Sequence, residues 1–146
     1  MTIQRILDSR PDATPICIAP DADIGDALDL LAAKNIGALI VSYDGVSVDG
    51  IVSERDIVRR LQAEGPDIYR NRVSDLMTEK VITCVAEDRA ASIMAVMVSR
   101  HVRHVPVVKD DKIVGMVSIR DLLQLRLNEV QSEADAMRTY ISGQAT

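Results

Sequence analysis

The chain alternates between two hydrophobic periods. Ile16 to Ile18 is a short apolar run closed by Pro20-Asp21-Ala22-Asp23, after which apolar residues recur at Ile24, Ala27, Leu28, Leu31 and Ala32. That spacing predicts a strand followed by an amphipathic helix. Residues 37–42 are then almost wholly apolar, SYDGVSVD (42–49) carries an Asp-Gly pair suited to a hairpin connection, and GIV (50–52) reads as the returning strand. From Ser53 the helical spacing resumes through Ile57, Val58 and Leu61 and stops at Gly65-Pro66. The predicted order is β-α-β-β-α.

The same order is written twice. GIVSERDIV (50–58) and GMVSIRDLL (115–123) agree at Gly, Val, Ser, Arg and Asp. Upstream, LLAAKNIGALIV (30–41) matches VMVSRHVRHVPVV (96–108), ICIAPDADI (16–24) matches ITCVAEDRA (82–90), and IQRIL (3–7) matches VSDLM (73–77). The match sets Leu28 against Met94, Leu31 against Met97, Ile36 against Val102, Leu39 against Val105 and Val41 against Val107, all expected in the core. Residues 1–66 are therefore read as the first repeat and 67–146 as the second, with a turn at Asp110-Asp111 and a last helix running from Ser118 past Met137. A repeat with one apolar sheet face cannot bury it alone, so the expected fold is α/β, two repeats related by a pseudo-twofold and packed through their sheets.

Composition narrows the function. Among 146 residues 47% are apolar, yet there is no Trp or Phe, so the core must be built from Ile, Val, Leu, Ala and Met. A net charge of −5 argues against binding the phosphate backbone of nucleic acid. The first residues are too few and too charged for a signal peptide, and no apolar run approaches the roughly 20 residues of a membrane span. The expectation is a cytoplasmic protein without a membrane partner. Cys17 and Cys84 lie in β-like apolar runs and are read as small buried hydrophobes.

The repeated Gly-x-x-Ser-x-x-Asp carries the candidate chemistry. Ser53 and Ser118 stand at N-cap positions, where the hydroxyl accepts a bond from an early helix N–H while Asp56 and Asp121 complement the helix dipole. A helix N-terminus opening on a cleft also attracts an anion, and an aspartate one turn in offers two acceptors to the vicinal hydroxyls of a ribose. Gly50 and Gly115 would remove a side chain where a ligand comes close. Helix cap and nucleotide site both fit this spacing.

Two such units, each ending in G-h-h-S-x-x-D (h apolar), with RHVPVV at 103–108 in the second, resemble the cystathionine-β-synthase (CBS) domain family arranged as a tandem pair, or Bateman module. The resemblance covers nearly the whole chain. It implies clefts between the repeats that hold adenosine derivatives such as AMP, ADP, ATP, S-adenosylmethionine or NAD(H), the serine contacting phosphate or ribose and the aspartate the ribose hydroxyls. By that resemblance Ser118 and Asp121 carry one site and Ser53 and Asp56 the other, with adenine read by backbone around Ile16, Cys17 and Ile18 and around Val81, Ile82 and Thr83. Arg103 and His104 resemble the phosphate-facing pair in the nucleotide-sensing subunit of AMP-activated kinase. The first repeat has Gly37 and Ala38 there, so the basic pair is expected to favour phosphate in the cleft of Ser118 and Asp121. Arg55 and Arg120 either add charge to both clefts or are solvated helix arginines. A homodimer, a flat disc of four repeats, is implied as well.

Rival chemistries are poorly supported. His101 and His104 lie three apart, but a strand starting near Val102 breaks helical geometry and no third metal ligand is evident. Ser118, Asp121 and His104 are the residue types of a hydrolase triad without a feature that supplies an oxyanion hole. The last helix is either a solvated face or, through Leu127, Val130, Ala134, Met137 and Ile141, a surface for a partner. Three readings follow: a stand-alone, non-enzymatic regulatory module, an energy sensor that binds an adenosine nucleotide, needs no catalytic cofactor and signals to a protein partner; a dimerisation adaptor with vestigial clefts; or an enzyme acting on a nucleotide.

Overall fold

The computed structural model describes residues 1–11 and 14–144. The first repeat runs β1 (Cys17–Ile18), α2 (Ile24–Lys34), β2 (Ala38–Val41), β3 (Gly50–Ser53) and α3 (Glu54–Glu64), preceded by a short helix α1 (Ile3–Asp8). A 3₁₀ turn at Pro66–Arg70 leads to α4 (Val73–Leu76), and the second repeat follows as α5 (Ala90–Arg100), β4 (His104–Lys109), β5 (Lys112–Ser118) and α6 (Ile119–Gln144). This is the expected mixed α/β arrangement with two small sheets. In one, β2 pairs parallel with β1 and antiparallel with β3; in the other, β4 and β5 form a hairpin. The strand expected at 82–84 is reduced to one parallel bridge, Cys84 to Val107.

Why these elements form is visible in their ends. Asp23 begins α2 as an N-cap, and Asn35 closes it in the left-handed region at φ 52°. His101 closes α5 at the matching position with φ 55°, a conformation asparagine tolerates better than most residues. All four residues of β2 are buried, which requires apolar side chains on both faces of the strand.

The repeats are joined by a reciprocal exchange of helices. The first core gathers Ile24, Leu31, Leu39, Val41, Val52 and Ile57 with Ile68, Val73 and Leu76 from the stretch that precedes the second repeat. The second core gathers Cys84, Ile93, Met97, Val105, Val107, Val117 and Leu122 with Ile3 and Ile6 of α1. The backbone bonds are paired in the same way. Ile24 N donates to Asn71 O and Val73 N to Ala22 O, while Ala90 N donates to Met1 O and Ile3 N to Asp88 O, all at 2.8–2.9 Å. Each repeat gives the other what it receives, the signature of a two-fold relation.

The two motif glycines have a different role from the one expected. A Cβ at Gly50 would meet Met77 Sδ at 2.6 Å, and one at Gly115 would meet Leu7 Cδ2 at 2.7 Å. These glycines make room for the exchanged segments. The helix α3 also departs from its predicted face: of Ile57, Val58 and Leu61 only Ile57 is buried, and Val58 is 63% exposed.

Candidate functional site

The serine–aspartate motif first does what a helix start requires. Asp56 Oδ2 accepts from the backbone N–H of Ser53 at 2.8 Å and from its hydroxyl at 2.8 Å, while Ser53 Oγ accepts from Asp56 N at 3.3 Å. The second repeat repeats the box, Ser118 N to Asp121 Oδ2 at 2.7 Å and Asp121 N to Ser118 Oγ at 3.1 Å. Both aspartates thus satisfy orphan donors with Oδ2. No described residue bonds Oδ1 of Asp56, which leaves that oxygen for a ligand.

A cavity of about 410 Å³ opens between the repeats beside the first of these boxes. That size is ordinary for a small-molecule site. From the first repeat Ser53, Glu54, Arg55, Asp56 and Arg59 line it along the start of α3, with Gly37 and Ala38; the second repeat contributes Arg103 and His104, and Thr78, Lys80, Val81 and Ile82 form the connecting wall. The wall is held there by the backbone. Thr78 and Ile51 exchange both hydrogen bonds, at 2.9 and 3.0 Å, and so carry the chain past the end of β3.

Arg103 and His104, expected in the cleft of Ser118 and Asp121, line the cavity of Ser53 and Asp56, while His104 stays beside Ser118 in register and close enough to Asp121 to feel its carboxylate. The two-fold is the cause. His104 pairs in register with Ser118 inside its own hairpin, yet its ring crosses to the other repeat, within 3.3 Å of where a Gly37 Cβ would be. A Cβ at Gly37 would crowd both that ring and the Glu54 carboxylate. Burial pushes the His104 pKa down, against the pull of the Asp121 and Glu54 carboxylates and with the help of Arg103, so the imidazole is neutral near pH 7.

Of the residues singled out from sequence, Ser53, Arg55, Asp56, Val81, Ile82, Arg103 and His104 come together in this cavity. Thr83, Ser118, Arg120, Asp121, Ile16, Cys17 and Ile18 are not part of its wall. Ile18 is buried in the first core with Ile16 packed against it, and Arg120 is exposed at the start of α6. Asp121 instead meets Arg10, whose guanidinium lies 3.3 Å from its Oδ2. The sequence reading missed Arg59, Lys80 and Arg100. Arg59 had a signal, since it follows Arg55 by four and shares its helix face.

The cavity is cationic in an acidic protein. Arg55, Arg59, Lys80, Arg100 and Arg103 line it, five of the chain's 17 basic residues, against two of its 22 carboxylates, Glu54 and Asp56. Among the described residues none of the five is ion-paired. The thiols offer no nucleophile: burial raises the pKa of Cys17 and, with Asp88, pushes Cys84 up to about 12. Among the described residues there is no group of three or more His, Cys, Asp or Glu able to hold a metal, and no helix long and apolar enough to cross a membrane.

Comparison with known proteins agrees with this geometry. The CBS domain model matches residues 9–63 and again 73–128. The CBS domain-containing protein CBSX3, mitochondrial, of Arabidopsis thaliana is 32% identical over 149 residues, 97% of this chain and 72% of that protein. Two other curated relatives are matched over only 37% and 33% of their own length. The crystal structure of the CBS-domain containing protein ATU1752 from Agrobacterium tumefaciens is similar with a TM-score of 0.81 at 34% identity, over 86% of this chain and 99% of that one. CBS domain protein PAE2072 from Pyrobaculum aerophilum, complexed with AMP, is similar with a TM-score of 0.72 at 25% identity, over 83% of this chain and 89% of that one. Two matches in register with the internal repeat, on a fold whose halves exchange helices, place the chain in the CBS domain family as a tandem CBS pair.

Proposed function

We propose that this pair is a regulatory module that binds a phosphate-bearing adenosine nucleotide in the cavity of Ser53 and Asp56 and passes its occupancy to a partner protein. The observation that carries the reading is the set of five cations, none ion-paired among the described residues, that line one small cavity. Such a cluster repels itself, and an anion that enters relieves the repulsion and gains charge-assisted hydrogen bonds. Asp56 Oδ1 is the acceptor offered to the ribose, and the backbone near Val81 and Ile82 is offered to the adenine. The AMP complex of PAE2072 supports the ligand class. ATP and NAD(H) fit the charge better than S-adenosylmethionine, whose sulfonium is itself a cation. The groups gathered here bind and orient rather than attack a bond, so we assign the chain no catalysis.

The same proposal includes a homodimer. On α6 Leu127, Met137 and Ile141 are 64%, 66% and 62% exposed. We assign this stripe to a second copy, since apolar side chains repeated along one helix are more favourable buried than solvated.

Calorimetric titration with AMP, ATP, NADH and S-adenosylmethionine tests the ligand. Binding of the phosphate ligands, weakened by salt and by Asp56→Ala, is expected. Equal or tighter binding of S-adenosylmethionine would overturn the charge argument, and no binding of any of the four would favour the adaptor reading.

A further inference from the structure

We infer that Arg10 is a latch on the second repeat's site, so that the two adenosine sites of one chain fill at different nucleotide concentrations. The inference rests on the nucleotide reading of the serine–aspartate motif. In the first repeat, the carbonyl of Ile51 accepts a bond from Thr78 N at 2.9 Å, and the chain beyond Thr78 becomes the cavity wall. Ile51 corresponds to Met116 in the repeat. There no backbone N–H among the described residues outside the hairpin takes that place; the Arg10 side chain donates to Met116 O at 3.3 Å and stands 3.3 Å from Asp121 Oδ2. Arg10 belongs to the residues inserted between α1 and β1, which have no equal in the second repeat. A side chain thus stands where backbone stands at the first site, and its guanidinium lies against Asp121 Oδ2, the oxygen that also caps α6, so that its positive charge offsets the carboxylate a ribose would use.

The pair is part-exposed, with Arg10 at 40% and Asp121 at 23% of side-chain surface. A ligand can displace it. An exposed ion pair of this kind is worth up to about 1 kcal/mol, which converts to roughly fivefold in affinity. The second site is therefore weakened in a graded way, and the module responds to nucleotide over a wider range than two equal sites would.

Equilibrium dialysis of ATP against the full chain and its Arg10→Ala and Arg10→Gln variants tests the latch. Tightening of the weaker class of sites by about fivefold in both variants, with the stronger class unchanged, is expected. An unchanged weak class means Arg10 does not compete, and a weaker one means Arg10 itself holds the ligand; either overturns the latch. If the wild type binds no ATP, the reading of the first cavity fails on its own, while a site gained by the variants still upholds the latch. No binding by any of the three overturns both.

Discussion

A Cβ on Gly50 would lie 2.6 Å from the sulfur of Met77 and 3.1 Å from the carbonyl oxygen of Thr78. The motif glycine is thus a contact between repeats, and its partner is the segment that builds the cavity wall. At Gly115 the corresponding clash is with Leu7 Cδ2 alone, at 2.7 Å, the far end of a side chain that can turn away. Gly50→Ala should therefore destabilise the protein by about 1–3 kcal/mol, as overpacking does, and Gly115→Ala by less. Denaturant midpoints of the two variants check the order, and equal losses would contradict the packing difference.

Asp56 has two roles that one pair of variants separates. Asp56→Ala removes the ribose acceptor and should weaken nucleotide binding by about 1.5–3 kcal/mol for each charge-assisted bond lost. It also removes the aspartate half of the capping box, leaving Ser53 Oγ to accept from the residue 56 N–H, at a further cost in stability of about 0.3–1 kcal/mol. Asp56→Asn keeps an oxygen for the cap and should bind less weakly than Asp56→Ala. Titration calorimetry and thermal unfolding of both variants measure the two effects separately, and unchanged affinity would remove Asp56 from the site.

His104 sets a pH dependence of known sign. Its pKa is lower in the folded protein than the unfolded value of about 6.5, so between the two the unfolded chain binds more protons. Its contribution to stability is fully present above pH 6.5 and is lost as pH falls through the folded pKa. In His104→Gln that part of the stability loss should disappear. A phosphate beside the ring favours its charged form, so binding of NAD, whose pyrophosphate does not titrate near neutrality, should strengthen from pH 7.5 to pH 6. Calorimetry at both pH values checks this, and a flat profile would place the phosphates away from His104.

The helix exchange predicts the behaviour of fragments. Residues 1–66 lack Ile68, Val73 and Leu76, which complete the first core, and carry Ile3 and Ile6 with no second core to enter. That fragment should be unfolded or aggregated by circular dichroism and sedimentation. A stable monomeric half would show that the exchange is dispensable.

Surface variants test the dimer. Leu127→Glu and Met137→Glu change residues already exposed on α6, so the fold should tolerate them. Wild-type protein at micromolar concentration should sediment at about twice the chain mass, and the double variant at the chain mass. A strictly monomeric wild type would defeat the proposal.

Much of this protein could be read in one dimension because its signals are local. Periodicity marked α2, β2, β3 and α3, the repeat doubled them, and the Ser-x-x-Asp spacing located both helix caps. Short elements escaped for the same reason. The four residues of α4 and the six of α1 are too short to show a period, and the strand expected at 82–84 keeps only the bridge at Cys84.

What the linear order could not contain is which repeat each segment serves. Sequence adjacency sets Arg103 and His104 beside Ser118 and Asp121; the two-fold sets them beside Ser53 and Asp56, because the start of each repeat's second strand faces the other repeat. The five cations of the cavity are spread from Arg55 to Arg103 along the chain and converge only in the folded pair. Residue type and spacing determined the caps, the strands and the chemistry on offer. Burial of two incomplete cores in each other decided which side chains share a cavity, and hence which of two identical motifs stands open and which is held by Arg10.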